Sequence, residues 1–208
     1  SFMREDVLMI GLCGVVGVCM PFPLLFRFKF RFTNRQLLLN AALGIALCNL
    51  LCMHVQSIPV LCVISFIAGF LKLCGTFECM SNIQLWMAPG RDFSIFFPLL
   101  YMIVVGCMNM SSWVANQLTY HLGSWMMMHW FMIGLLLIVA LTVFVLTRNV
   151  RLMPKVPMIS VDWLGCVLWS LFLLEGIWIF TYGEYYNWFD SHVFRTVCVK
   201  TEDRKSVV

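Results

Sequence analysis

The sequence predicts an all-α fold, a polytopic bundle of transmembrane helices. Three observations predict it. Six long apolar stretches follow one another along 208 residues, and every second connection between them collects the Arg and Lys residues. No Asp, Glu, Lys or Arg occurs between Arg35 and Lys72, or between Asp92 and Arg148. With 62% hydrophobic residues, 15% aromatic residues and a mean hydropathy of +0.90, a soluble fold of this length could not hide its apolar surface.

A bilayer's hydrocarbon core takes about 20 helical residues to cross, and each crossing segment must pair its own backbone amides. The first expected span, Val7–Phe26, starts after Arg4, Glu5 and Asp6 and lacks the polar cleavage region of a signal peptide. Its Gly11, Gly14 and Gly17 suit close packing against a neighbouring helix. The second, Leu37–Val55, carries no charge, and the third, Pro59–Met87, carries Lys72 and Glu78. The fourth, Phe93–Tyr120, holds neutral polar residues, of which Asn109, Ser112 and Asn116 share one helical face. Ser124–Thr147 is the fifth, with His129 near its outer end as an interfacial residue. Trp163–Tyr182 is the sixth and contains Glu175.

Orientation follows from the basic residues, which stay on the cytoplasmic side during insertion. Arg27, Lys29, Arg31 and Arg35 fill the first connection (27–36), Arg91 sits in the third (88–92), and Arg148, Arg151 and Lys155 occupy the fifth (148–162). The second and fourth connections have no Lys or Arg. The odd connections are expected in the cytoplasm and both chain ends outside, in a multi-pass cell-membrane protein such as one of the bacterial inner membrane. The net charge of +4 is this same bias and calls for no nucleic-acid partner.

Nine of the ten cysteines lie in apolar runs, without a Cys-x-x-Cys pair, and read as small hydrophobes rather than metal or redox ligands. No cofactor is expected. Nor is an enzyme: the chain lacks His-Glu-x-x-His, Gly-x-Ser-x-Gly and Gly-x-x-x-x-Gly-Lys, and its connections are too short to hold a soluble catalytic domain.

The ends of the chain read differently from its middle. It opens on Ser1 with its start facing outward, which suggests an upstream helix beyond the sequence. It closes on Asp203–Val208, the translation of GATCGGAAGAGCGTCGTG, a common sequencing-adapter string whose next triplet is a stop. These residues are expected to be an adapter artefact, with the biological sequence cut near Glu202; the alternative is a genuine charged outer tail. A 3′ nucleotide sequence without that string would settle for the tail.

Several motifs carry a family resemblance. Asp162-Trp163-Leu164-Gly165 opens the last span and Gly183 with Trp188 closes it. Leu122-Gly123-Ser124-Trp125 forms a turn before the fifth span. With the visible spans counted as helices two to seven, the chain resembles the major facilitator superfamily, in its fourteen-helix drug:proton antiporter branch. That branch has an Asp-x-x-Gly start and Gly-x-x-x-x-Trp finish in helix seven, and a Leu-Gly-x-Trp turn before helix six. The chain departs from it in two places. The loop motif Gly-x-x-x-Asp-Arg-x-Gly-Arg-Arg keeps its positive charge in Arg27, Lys29, Arg31 and Arg35 but loses its Asp and Gly. The antiporter motif Gly-x-x-x-Gly-Pro-x-x-Gly-Gly has Gly106 at its first position, but Met110 and Ser111 where Gly-Pro should stand.

The resemblance implies a secondary transporter that exports small amphipathic or cationic molecules, with protons as the coupling ion and the remainder of the same chain as its missing half. The candidate substrate or proton pathway comprises Lys72, Glu78, Glu175, Asn109, Ser112 and Asn116, and the candidate cytoplasmic gate Arg27, Lys29, Arg31 and Arg35. A charge at the bilayer centre costs at least about 2.5 kcal/mol, so Lys72, Glu78 and Glu175 stand out on physical grounds too. Lys72 and Glu78 lie about 9 Å apart along the helix axis and about 120° around it, so each needs its own partner. Desolvation would let Glu78 carry a proton, and Glu175 could bind a cation or exchange a proton. The bland readings stay open: topogenic charge in the basic connection, interhelical bonds for the acids and the Asn/Ser face, and a complete six-helix membrane protein with an assembly or anchoring role.

Overall fold

Backbone amides in hydrocarbon have only their own helix to bond to, and among the described residues every element of the computed structural model is a helix. The structure describes residues 3–21, 24–87, 93–149, 162–183, 185, 196 and 199. Seven helices result: α1 (Arg4–Cys19), α2 (Leu25–Arg31), α3 (Asn34–His54), α4 (Ile58–Met87), α5 (Phe93–Leu122), α6 (Trp125–Leu146) and α7 (Trp163–Tyr182). The last five are long and apolar enough to cross a membrane, which makes this a multi-pass membrane protein by length and composition.

The first expected span is the exception. Instead of one helix over Val7–Phe26, α1 runs for 16 residues, about 24 Å, and stops at Cys19. Pro21 explains the stop, because proline has no amide hydrogen to donate back to the Gly17 carbonyl, although Met20 before it keeps a helical backbone. The Leu24 amide donates to the Pro21 carbonyl at 2.8 Å. Pro21, Leu24 and Leu25 are buried there. The connection expected over 27–36 is therefore mostly helix: α2 holds Arg27, Lys29 and Arg31, and Arg35 lies in the first turn of α3. The connections at 88–92 and 150–161, and the segment 203–208, lie outside the described residues.

Local chemistry sets the other boundaries. Thr33 caps α3: its hydroxyl accepts from the Gln36 amide at 3.4 Å, and its own amide donates to Gln36 Oε1 at 3.3 Å. Gly123, at φ 62°, ends α5 in the left-handed conformation that glycine adopts without strain. Asp162 caps α7 by accepting from the Gly165 amide at 2.9 Å.

The packing order across the bundle is α7, α1, α4, α3, α6, α5, each helix lying against the next. Contacts also give direction. Gly14 and Gly17 of α1 meet Ser65, Phe66 and Gly69 of α4 in ascending order, so these two helices run parallel. Ala41 faces Gly75 and Asn34 bonds Asn82, so α3 runs opposite to α4. His129 meets Asn49, Arg35 meets Phe144, and Tyr182 meets Asp6, which sets α6 against α3 and α7 against α1. Successive long helices thus alternate in direction, and α1 takes its place in the alternation despite its length.

The α1/α4 crossing is the tightest contact. A Cβ on Gly17 would collide with the Phe66 backbone, and one on Gly69 with the Gly14 carbonyl. Gly11, expected to share this role, has open space around its Cα. Gly69→Ala should therefore destabilise the fold by about 2 kcal/mol or more, whereas Gly11→Ala should be nearly silent. Unfolding of the two variants in mixed micelles, followed by helicity, checks the contrast.

Candidate functional site

One end of the bundle gathers the basic residues of α2 and α3 around the C-terminal half of α4. There the α2 ring of Phe28 packs edge-on against Phe70 of α4, with centroids 5.7 Å apart. The Lys29 ammonium lies 5.6 Å from the centre of the Phe77 ring. The Arg35 guanidinium sits 4.1 Å over Phe144 of α6, and its buried Nε has no hydrogen-bond partner.

Glu78 is the centre of this region. It is 1% exposed, the most deeply buried charged side chain among the described residues. Its Oε1 accepts from Asn82 Nδ2 at 3.5 Å, while its buried Oε2 has no hydrogen-bond partner. Asn82 in turn forms a reciprocal pair with Asn34 across the α3/α4 contact: Asn34 Nδ2 donates to Asn82 Oδ1 at 2.8 Å, and Asn82 Nδ2 donates to Asn34 Oδ1 at 2.7 Å. The Lys29 ammonium acts on the carboxylate through space without closing an ion pair. The arrangement is a buried acid with one oxygen bonded to Asn82, which Asn34 holds in turn, and the other oxygen buried without a hydrogen-bond partner.

The other expected pathway residues lie elsewhere. Lys72 is exposed on α4 and its charge acts on Cys48 of α3. It makes no direct pair with Glu78, as the helical spacing requires. Glu175 is half-buried on α7, where it is engaged rather than free. Asn109, Ser112 and Asn116 are all exposed on α5, far along the packing order from Glu78. Asn109 Nδ2 bonds back to the Val105 carbonyl at 2.9 Å, and the Ser112 hydroxyl to that of Met108 at 3.5 Å. Glu78 and the basic residues are thus brought together, and Lys72, Glu175 and the α5 face are not. Among the described residues no three His, Cys, Asp or Glu side chains are placed to hold a metal ion.

The opposite end carries a second polar set, of which the sequence reading singled out only His129, as an interfacial residue. The Tyr182 hydroxyl donates to Asp6 Oδ1 at 2.7 Å, while Asp6 Oδ2 accepts from the Met3 amide at 3.1 Å and starts α1. His129 Nδ1 lies 3.3 Å from Asn49 Oδ1. Asp6, Gln56 and His129 supply the polar wall of a cavity of about 700 Å³, whose apolar side includes Ile10, Met53 and Leu61. Its size is that of a small-molecule site. Partners 48, 80 and 176 residues apart left no local signal from which Asn34–Asn82, Asn49–His129 or Asp6–Tyr182 could be read.

No protein-family model, curated protein or solved structure matches this chain. The motifs that carry its family resemblance do have local roles. Asp162 and Gly165 form the cap of α7, where a Cβ at Gly165 would strike the Asp162 carboxylate, and Gly123 ends α5.

Alanine at Asn34 and at Asn82, singly and together, should give a coupling energy of about 0.6 to 1.7 kcal/mol, the range for interhelical hydrogen bonds in bilayers. A double-mutant cycle on unfolding free energies reads it directly. Additive effects would mean that the two carboxamides do not hold each other in the membrane.

Proposed function

We propose that the chain is part of a proton-coupled secondary transporter, with Glu78 as its proton-exchanging group. The observation that carries the reading is the buried Glu78 carboxylate with one oxygen unpartnered inside a membrane-length helix. An ionisable group so placed is costly, and function is the ordinary reason for keeping one. Asn82 and Asn34 fix the position of the acid, and Lys29 sets the field around it. In this reading α1 supplies a sixth crossing, and the basic end faces the cytoplasm of a bacterial inner membrane. The cavity at Asp6, Gln56 and His129 then opens outward, and its mixed walls suit a small amphipathic or cationic molecule.

The resemblance to the major facilitator superfamily supports the same reading, as does the alternating direction of the helices. Coupled exchange works when protonation of one group changes which side of the membrane the substrate site faces. Glu78 lies at the basic end and the cavity at the other, so coupling between them would run through α4, which contributes Ile58 and Leu61 to the cavity. The second reading, an assembly or anchoring protein, draws on the Asn34–Asn82 pair, which is sufficient as interhelical glue.

The test uses the whole protein of which this chain is part, reconstituted in liposomes with an internal pH dye and ethidium as a model amphipathic cation. A pH gradient should drive ethidium movement with opposite proton flow, and an uncoupler should abolish both. Glu78→Gln should slow the movement by about 100-fold or more while leaving helicity intact. Unaltered movement in Glu78→Gln would remove Glu78 from the coupling step. Absence of both fluxes in the folded whole protein would favour the anchoring reading.

A further inference from the structure

The basic end of the bundle has a second side, turned away from Glu78. Arg35 lies in the first turn of α3 and Phe144 in the last turn of α6, where the guanidinium covers the ring at 4.1 Å. Both helices carry spans of 21 residues, about 32 Å long, so these ends stand at the level of the lipid headgroups. On the hydrocarbon side of that level, Leu137, Leu141 and Phe144 follow one another at i, i+4 and i+7 and form a single stripe along α6. All three are exposed. On the headgroup side stand three arginines: Arg35, the exposed Arg31 at the end of α2 and the exposed Arg148 just past α6. Arg35 closes no ion pair with a described residue, and its charge rests on an aromatic face. The acids at this end are taken up elsewhere. Glu78 is enclosed on the Lys29 side of α4, and Asp162 accepts from the Gly165 amide at the start of α7.

We propose that this corner binds an anionic phospholipid, with its phosphate on Arg31, Arg35 and Arg148 and an acyl chain along Leu137, Leu141 and Phe144. Cations alone would suit any anion, and an apolar stripe alone would suit any lipid or helix. Joined at the headgroup level, the two match a molecule that is anionic at one end and apolar along the rest. The guanidinium geometry fits the phosphate: a ring takes the face of the cation, while the N–H donors at its edge can meet two phosphate oxygens side by side. Three arginines together favour a lipid with net negative charge over a zwitterionic one, whose own ammonium group would oppose them. The Phe144 ring serves both parts, as support for Arg35 and as the top of the acyl stripe. The site does not depend on transport and would serve an anchoring protein as well.

The experiment takes the whole protein of which this chain is part, strips its lipid in a neutral detergent, and titrates it with phosphatidylglycerol or phosphatidylcholine under native mass spectrometry. Phosphatidylglycerol should bind at least about 10-fold more tightly. Arg35→Gln/Arg148→Gln should remove most of that preference and leave phosphatidylcholine binding and helicity unchanged, because Arg27, Lys29 and Arg31 remain to hold the topology. A second measurement needs no variant: phosphatidylglycerol with a photoactivatable group in its acyl chain should label α6 between Leu137 and Phe144. Equal binding of the two lipids, an unchanged preference in the folded variant, or labelling confined to other helices would each overturn the proposal. Displacement of phosphatidylglycerol by millimolar inorganic phosphate would overturn it too, by assigning the arginines to a soluble anion.

Discussion

The close approach of α1 and α4 is the contact on which the other packing rests. Gly14, Gly17 and Gly69 leave no room for a side chain between the two backbones, so α4 can sit directly against α1. In hydrocarbon the usual gain from expelling water is absent, and helix association depends on such intimate contact. From this pair the bundle grows outward in both directions. Asn34, Ala41 and Gly44 seat α3 on the other side of α4, and Asp6 ties the start of α1 to the end of α7. Because α1 and α4 run parallel, the basic α2 that follows α1 is delivered to the end where α4 carries Glu78.

That delivery makes the polar end what it is. A glutamate at position 78 on a lone helix would face lipid or find water at the interface. Here Phe28 clamps α2 on α4, Lys29 rests on Phe77, and Asn82 is held by Asn34, so the carboxylate is enclosed before any partner closes on its second oxygen. The cations are present yet spend their charge on aromatic rings: Lys29 on Phe77, Arg35 on Phe144. Aromatic faces satisfy a cation weakly compared with a carboxylate. The acid therefore sits in a positive field without the bond that would fix its charge.

Much of the architecture was legible from apolar length alone. The spans read as Leu37–Val55, Pro59–Met87, Phe93–Tyr120, Ser124–Thr147 and Trp163–Tyr182 correspond to helices whose ends differ by three residues or fewer. The first span failed because apolar length was allowed to override Pro21 and Pro23, whose missing amide hydrogens are a local and readable signal. Helix α2 was invisible for the opposite reason. Phe and cations alternate along it, a period of two that fits no helical face, and packing against α4 selects the helix instead. Of the site, Glu78 was legible through its cost in a membrane, whereas its companions Asn34 and Asn82 come together only through the antiparallel register of α3 and α4. Lys72 and Glu175 carried the same signal of cost, and the fold sends them to other surfaces.

The motifs behind the family resemblance have a simpler cause in this fold, and that changes where functional weight belongs. An Asp three residues before a Gly at the start of an apolar run is a helix cap, and a Gly in the left-handed conformation ends a helix. Any membrane chain that must start and stop a helix at a defined depth gains by these residues, whatever it transports. A buried acid with an unpartnered oxygen has no such use: while charged, it costs the bundle stability. Among the described residues, Glu78 is thus a buried acid whose presence helix capping and packing do not explain. The transporter reading stands on it, while the caps at Asp162 and Gly123 account for the shape of the bundle around it.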